Sequence, residues 1–312
     1  MSGYVVTGCA GFIGSHLVEA LLERGGEVRG VDAFTDYYER PLKETNLADA
    51  HGRPGFELVE ADLTEADLGE LLDGVDGVFH LAAQPGVRGS WGETFALYAR
   101  DNLIATQRLF EAAIQVGCRV AWASSSSVYG NAESYPTRED VRPSPISPYG
   151  VTKLSCESLA AAYGATRGLD AVALRYFTVY GPRQRPDMAF TRIVRGLAEG
   201  GVFHVFGTGE QTRDVTYVGD AVSATLAAME RAPAGATYNV GGGSETTLLD
   251  VIRLGERLSG RRLELRHEAT AVGDVRRTSA DTSAARADLG WEPKVSLEEG
   301  LRAQLAASGL AS

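Results

Sequence analysis

The first fourteen residues constrain this chain most. Tyr4 to Thr7 reads as a short buried strand, and it runs straight into Gly8-Cys9-Ala10-Gly11-Phe12-Ile13-Gly14. His16 to Arg24 then reads as a helix with Leu17, Val18, Leu21 and Leu22 on one face. Strand, glycine turn and helix in that order suit a dinucleotide, because glycines admit close backbone approach and the amides at a helix start face a pyrophosphate. Gly8, Gly11, Phe12, Ile13 and Gly14 are the expected cradle, spaced G-x-x-G-x-x-G rather than G-x-G-x-x-G. Asp32 ends the next strand, Glu27 to Asp32. A carboxylate there accepts hydrogen bonds from a ribose and repels a 2′-phosphate, and no Arg or Lys follows immediately. The expected cofactor is therefore NAD rather than NADP.

Strand-like and helix-like stretches then alternate. Strands are expected at Phe56 to Val59, Gly77 to Leu81, Arg119 to Ser124, Ala171 to Tyr176 and Tyr238 to Val240. Helices are expected at Asn102 to Val116, Leu154 to Arg167 and Asp220 to Arg231. This alternation predicts an α/β fold with a doubly wound parallel Rossmann sheet, whose strand C-termini share one ligand-binding edge. Asp62-Leu63 after the third strand and Leu81-Ala82-Ala83 after the fourth then fall at that edge. Beyond Tyr176 the alternation weakens and Pro and Gly accumulate. The expected division is a NAD-binding domain over 1–176, with 216–240 returning to it, and a smaller mixed α/β substrate lobe over 177–215 and 241–312.

Two further patterns carry chemistry. The fifth strand ends in Ser124-Ser125-Ser126-Ser127-Val128-Tyr129-Gly130, so a hydroxyl stands at the ligand edge. Tyr149 and Lys153, four residues apart, share a helix face. An ammonium beside a phenol, joined by an oxidised nicotinamide, favours the phenolate and moves it toward the range of a general base. Ser125, Tyr149 and Lys153 are the expected catalytic set.

On these residues the chain resembles the extended short-chain dehydrogenases/reductases of the sugar-nucleotide epimerase/dehydratase group. The glycine loop, Asp32, Asp62-Leu63, Leu81-Ala82-Ala83, the serine run, Tyr149/Lys153 and Arg213-Asp214-Val215 fall in the family's order over nearly the whole chain. The resemblance implies Asn102, Ser124 and Tyr176 as further cofactor contacts, with Lys153 on the nicotinamide ribose. It implies a shared first step in which Tyr149 takes the 4′-hydroxyl proton while C4′ gives up hydride to NAD. Dehydratases of the group carry Asp-Glu where this chain has Ser126 and Ser127, and decarboxylases carry Glu at the position of Ser127. Simple 4-epimerisation is therefore expected.

The stretch from Thr178 through Arg185-Pro186-Asp187-Met188-Ala189 resembles the UDP-glucuronate 4-epimerase branch, as do Tyr37-Tyr38 with Leu42-Lys43 and Gln84-Pro85-Gly86-Val87-Arg88. A uronate needs a carboxylate partner, and Arg185 offers a planar, charge-assisted one. Arg185 and Thr178 are the candidates for keeping that carboxylate out of line with a 4-keto group. The expected substrate contacts are Arg88, Ser125, Ser126, Ser127, Thr178, Arg185, Ala189, Arg192, Val205, Phe206, Arg213 and Arg276, the last in Gly273-Asp274-Val275-Arg276. Three alternatives stand beside this reading: a 4-epimerase of a neutral UDP-hexose, a UDP-glucuronate decarboxylase, and a non-catalytic NAD sensor.

Bulk properties narrow the partners. A net charge of −11 over 312 residues disfavours nucleic acid and anionic membrane. No apolar run is long enough to span a bilayer, and the N-terminus lacks a signal-peptide pattern. Cys9, Cys118 and Cys156 have neither metal nor disulfide spacing, which fits a reducing cytoplasm. No metal is expected. A homodimer through two long helices is implied by the resemblance alone.

Overall fold

The computed structural model describes residues 3–269, 273 and 275–310; Asp274 lies outside them. The strands are β1 (Gly3–Thr7), β2 (Glu27–Asp32), β3 (Phe56–Glu60), β4 (Gly77–His80), β5 (Arg119–Ser125), β6 (Ala171–Tyr176), β7 (Thr178–Tyr180), β8 (Val202–Phe206), β9 (Thr212–Tyr217), β10 (Thr237–Val240), β11 (Glu245–Thr247) and β12 (Glu264–Glu268). Seven of them form one parallel sheet in the order β10-β6-β5-β4-β1-β2-β3. The chain winds outward from β1 to β3 and then crosses to β4 on the other side of β1. The loops after β1 and β4 therefore diverge, which opens a crevice at the C-terminal edge of the sheet. All seven strands of the expected sheet are present, within one residue at each end.

Both faces of this sheet are covered. Val5, Val6 and Thr7 are at most 1% exposed, as a two-sided parallel strand requires. Helix Phe12–Glu23 buries the predicted face of Leu17, Val18, Leu21 and Leu22. It starts four residues before the expected His16, because Gly14 belongs to its first turn and not to the preceding loop. A Cβ on Gly14 would lie 2.1 Å from the Gly8 carbonyl oxygen, so the turn and helix meet there without a side chain between them. Helix Pro148–Arg167 likewise starts ahead of the expected Leu154. The Ser147 side chain accepts from Gly150 N, and Pro148 occupies the first turn, where its missing N–H costs nothing. The expected Asn102 to Val116 helix is two segments, a π-helical turn Ala99–Ile104 followed by helix Ala105–Val116. The irregular turn carries the buried Asn102, whose amide is committed elsewhere.

The remaining strands form two small sheets, β11-β9-β7 and β12-β8. They pack with helices Ala189–Glu199, Leu248–Ser259 and Leu297–Ala307 around Tyr180, Phe190, Ile193, Phe203, Val205 and Leu301. One part of the 241–312 segment does not join them: Ala285, Leu289 and Trp291 enter the core of the large sheet beside Val222 and Leu226. Among the described residues no helix is long and apolar enough to cross a membrane.

Candidate active site

A cleft of about 390 Å³ runs along the C-terminal edge of the large sheet. Gly8, Gly11, Phe12, Ile13, Gly14, Asp32, Asp62, Leu63, Leu81, Ala82 and Ala83 all line it. Gly8 has φ +69°, and a Cβ there would meet Ala82 N at 2.8 Å, so the β1 and β4 loops touch backbone to backbone. Thr7 Oγ1 pins the second loop by accepting from Leu81 N and Ala82 N, both at 3.2 Å. The Asp32 carboxylate accepts from Ala10 N at 3.1 Å and Phe34 N at 2.9 Å. Burial raises its pKa, and those amides and the Lys43 ammonium only partly offset the rise. Asp62 accepts from the Thr64 amide and hydroxyl and pairs with Arg100.

The glycine end fits a dinucleotide on its own geometry. Three glycines admit backbone where side chains would crowd it, and a half-buried carboxylate ends β2. The Tyr38 hydroxyl, buried on the cleft wall, has no hydrogen-bond partner among the described residues. A buried phenol without a partner at a cavity wall is what a polar ligand group would satisfy.

The serine run and the Tyr/Lys pair meet at the middle of the cleft. Ser124, Ser125, Ser126, Ser127, Tyr149, Lys153 and Tyr176 all line it. Ser125 ends β5, and its Oγ accepts from Ser127 N at 3.1 Å. Lys153 is 5% exposed, and its Nζ donates to Ala123 O at 2.8 Å, tying the helix to the end of β5. The Tyr149 ring stands edge-on to Tyr98 with centroids 6.3 Å apart. Tyr98 Oη in turn donates to Pro85 O at 2.7 Å, so Pro85, which the sequence left without a role, anchors the ring behind Tyr149.

The side-chain polar atoms of several expected contacts are engaged within the protein. Asn102 does not line the cleft: it accepts from Gln84 N at 2.7 Å and donates to Gln84 O and Thr152 Oγ1, supporting the β4 loop from behind. The Ser124 hydroxyl donates to Glu157 at 2.6 Å, inside the Glu157–Arg175 ion pair, so only its main chain is left for a ligand. The Tyr176 hydroxyl is spent on Thr225 at 2.5 Å in the core.

Thr178 and Arg185 close the other end, together with Met188. Arg185 Nε and Nη2 donate to Asp187 at 3.0 and 3.2 Å, and the guanidinium lies 5.7 Å from the Tyr37 ring centroid. Burial works against the Arg185 charge, but Asp187 and the phenols of Tyr37 and Tyr149 outweigh it and raise its pKa.

Arg88, Ala189, Arg192, Val205, Phe206, Arg213 and Arg276 do not line this cleft. Arg88 lies over Phe206 at 4.2 Å and Arg192 over Phe203 at 5.3 Å, on the lobe side. Ala189 opens helix Ala189–Glu199. Arg213 Nη1 donates to Thr212 O, and Arg276 O accepts from Thr212 N at 3.1 Å. The Val205 side chain is wholly buried in the lobe core, so only its main chain could meet a ligand. Thr35 and Phe177 also line the cleft without a motif to mark them, and Tyr37, Tyr38, Lys43, Gln84 and Met188, singled out only as marks of the branch, line it too. Their signal was position: Thr35, Tyr37, Tyr38 and Lys43 follow β2, Gln84 follows β4, Phe177 follows β6 and Met188 follows β7.

The chain is similar to several known proteins. A family model described as the NAD dependent epimerase/dehydratase family matches residues 4–241. The uncharacterized UDP-glucose epimerase YtcB of Bacillus subtilis is 43% identical, over 97% of this chain and 96% of its own. The UDP-glucuronate 4-epimerase of Thermodesulfobacterium geofontis is 37% identical, over 97% and 94%. The crystal structure of UDP-glucuronic acid 4-epimerase from Bacillus cereus, in complex with UDP-glucuronic acid and NAD, superposes with a TM-score of 0.95 at 41% identity, covering 98% of both chains.

Proposed function

The chain belongs to the NAD-dependent epimerase/dehydratase family, and from that premise we propose that it interconverts UDP-glucuronic acid and UDP-galacturonic acid by inversion at C4′. The observation that carries this reading is one cleft lined by Ser125, Tyr149 and Lys153 together with a partly buried Arg185. Bound NAD accepts hydride from C4′ and returns it, which makes the inversion redox-neutral. Tyr149 takes the 4′-hydroxyl proton and later gives it back. Lys153, fixed by Ala123 O, brings a positive charge to the same part of the cleft. Ser125 donates to the substrate oxygen and aims it. Arg185 and Thr178 hold the uronate carboxylate away from the plane in which a β-keto acid would lose CO₂.

The carboxylates that line the cleft are Asp32, Asp62 and Asp101. Asp32 ends β2, and Asp62 and Asp101 lie together beside Arg100. None accompanies Ser125–Ser127, so among the described residues no cleft-lining carboxyl group stands there for proton chemistry at C5′ or C6′. That supports epimerisation over dehydration. Arg88, Arg213 and Arg276 are proposed to serve the diphosphate, and Phe206 the uracil. Residues 1–176 with 216–240 are proposed to hold NAD, and the remainder the sugar nucleotide. The exposed side chains of Leu97, Ile104 and Val151, on neighbouring helical segments, suit the interface of a homodimer.

The name of the Bacillus subtilis relative favours a second reading, a 4-epimerase of UDP-glucose. Incubation with each nucleotide and NMR of the products separates the two. UDP-galacturonic acid without UDP-pentose is expected from the acid. Rapid conversion of UDP-glucose with the acid untouched would remove the uronate reading. Arg185→Ala should lower kcat/KM for the uronate by roughly a hundredfold, since a charge-assisted bidentate pair is lost, and much less for the neutral sugar. Equal losses would make Arg185 a general structural residue.

A further inference from the structure

Arg185 is already paired. Its bonds to Asp187 use the Nε/Nη2 edge of the guanidinium, leaving the Nη1 side of the fork. Tyr37 Oη donates to the same Asp187 oxygen at 3.2 Å, which holds the carboxylate from the opposite wall of the cleft. The Arg185 side chain is 19% exposed and that of Asp187 42%, so the cation sits inside and the acid at the mouth. Together they carry no net charge.

That neutrality matters for what the site can accept. An inward-facing guanidinium without a counter-charge is costly. A neutral sugar beside Arg185 would leave it so, if Asp187 were absent. A uronate beside the intact pair brings a second negative charge to a cation already balanced. We propose that Asp187 is an internal counter-ion that sets the discrimination between charged and uncharged sugars, keeping it low enough for one cleft to take both a UDP-uronate and a neutral UDP-hexose. The inference rests on the uronate reading of Arg185 and extends it to the breadth of the substrate class. Asp187 acts through Arg185 and is a specificity residue rather than a catalytic one.

The test is Asp187→Asn, which removes the charge and keeps an acceptor to orient Arg185. Affinities of UDP-glucuronic acid and UDP-glucose for the NAD-loaded protein are measured by calorimetry in a Tyr149→Phe background, where turnover does not interfere. The kcat and KM for each sugar are measured in the active background, all at one low ionic strength. The ratio of uronate to hexose affinity should rise at least roughly tenfold, through Kd and KM more than through kcat. Tyr37→Phe should move the ratio the same way by a smaller factor. A ratio that stays put, or falls, overturns the counter-ion. If the unmodified protein neither binds nor converts the uronate, the reading of Arg185 fails and takes this inference with it. If the unmodified protein converts the uronate and Asp187→Asn leaves the ratio unmoved, only the counter-ion fails.

Discussion

At the scale of single residues, the proposed base is separable from the fold. Tyr149 sits on the first turn of helix Pro148–Arg167, and its ring packs edge-on against Tyr98. Tyr149→Phe keeps that ring contact and removes only the oxygen. It should leave the thermal midpoint and bound NAD intact while kcat falls roughly a hundred- to ten-thousand-fold, the range of a lost general acid–base group. Thermal melts, NAD titration and turnover check the three parts, and unchanged turnover would sink the mechanism. Lys153 is not so separable. Its Nζ satisfies the Ala123 carbonyl in a nearly closed site, so replacing it would leave a buried acceptor without a partner as well as removing a charge. This contrast also shows what was legible. The i, i+4 spacing of Tyr149 and Lys153 is local and survives in the sequence, whereas the carbonyl that Lys153 reaches lies 30 positions away and could be known only from the fold.

At the scale of elements, the β1 turn makes the cofactor site and the packing inseparable. Gly14 lets helix Phe12–Glu23 begin directly against the Gly8 carbonyl, which is why its amides point into the cleft. Gly14→Ala would place a Cβ 2.1 Å from that oxygen, and both partners are backbone. The turn must shift, at a cost of about 1–3 kcal/mol for overpacking. Affinity for NAD should fall more than roughly tenfold, since the amides move with the turn. A variant that binds NAD as tightly as its parent would show that the helix start is not the binding element. Elements were readable where the pattern is periodic: β1 to β6 and β10 lie where alternation put them, because a strand buried on both faces needs a continuous apolar run. Helix starts were misplaced where a cap or a glycine, not periodicity, decides them, as at Gly14 and Ser147. The wall residues Tyr37, Tyr38 and Lys43, and Asp187 at the mouth, were not readable as parts of one site. They come from segments brought together only when the stretches after β2 and β7 face each other, as the bond from Tyr37 to Asp187 records.

At the scale of the whole molecule, two buried titratable groups link distant segments and give stability opposite dependences on pH. Asp214 on β9 accepts from Gly242 N and Ala280 N, both at 2.8 Å, and so joins three separate stretches of the lobe. Burial pushes its pKa up to about 6, against the pull of those amides. A raised carboxylate pKa means that the folded protein holds the proton more tightly. Its contribution is full below the ordinary value near 4 and is lost as pH rises through 6, up to about 3 kcal/mol. His80 on β4 lies between Thr7 Oγ1 at 2.8 Å and Thr106 Oγ1 at 2.9 Å, and burial, with the Lys153 charge, lowers its pKa to about 3. Its contribution is full above about 6.5 and is lost as pH falls toward 3. Between pH 4 and 6 the two slopes oppose each other, and Asp214 softens the acid loss that His80 imposes. Asp214→Asn removes the first slope and leaves the second. The variant should therefore lose stability relative to its parent as pH is lowered from 7 to 4, its thermal midpoint falling several degrees further behind. His80→Gln should do the reverse and gain on its parent over the same range. Melting curves at fixed ionic strength across that window decide the matter: a gap between Asp214→Asn and parent that is constant with pH would mean that Asp214 keeps its ordinary titration in the folded protein.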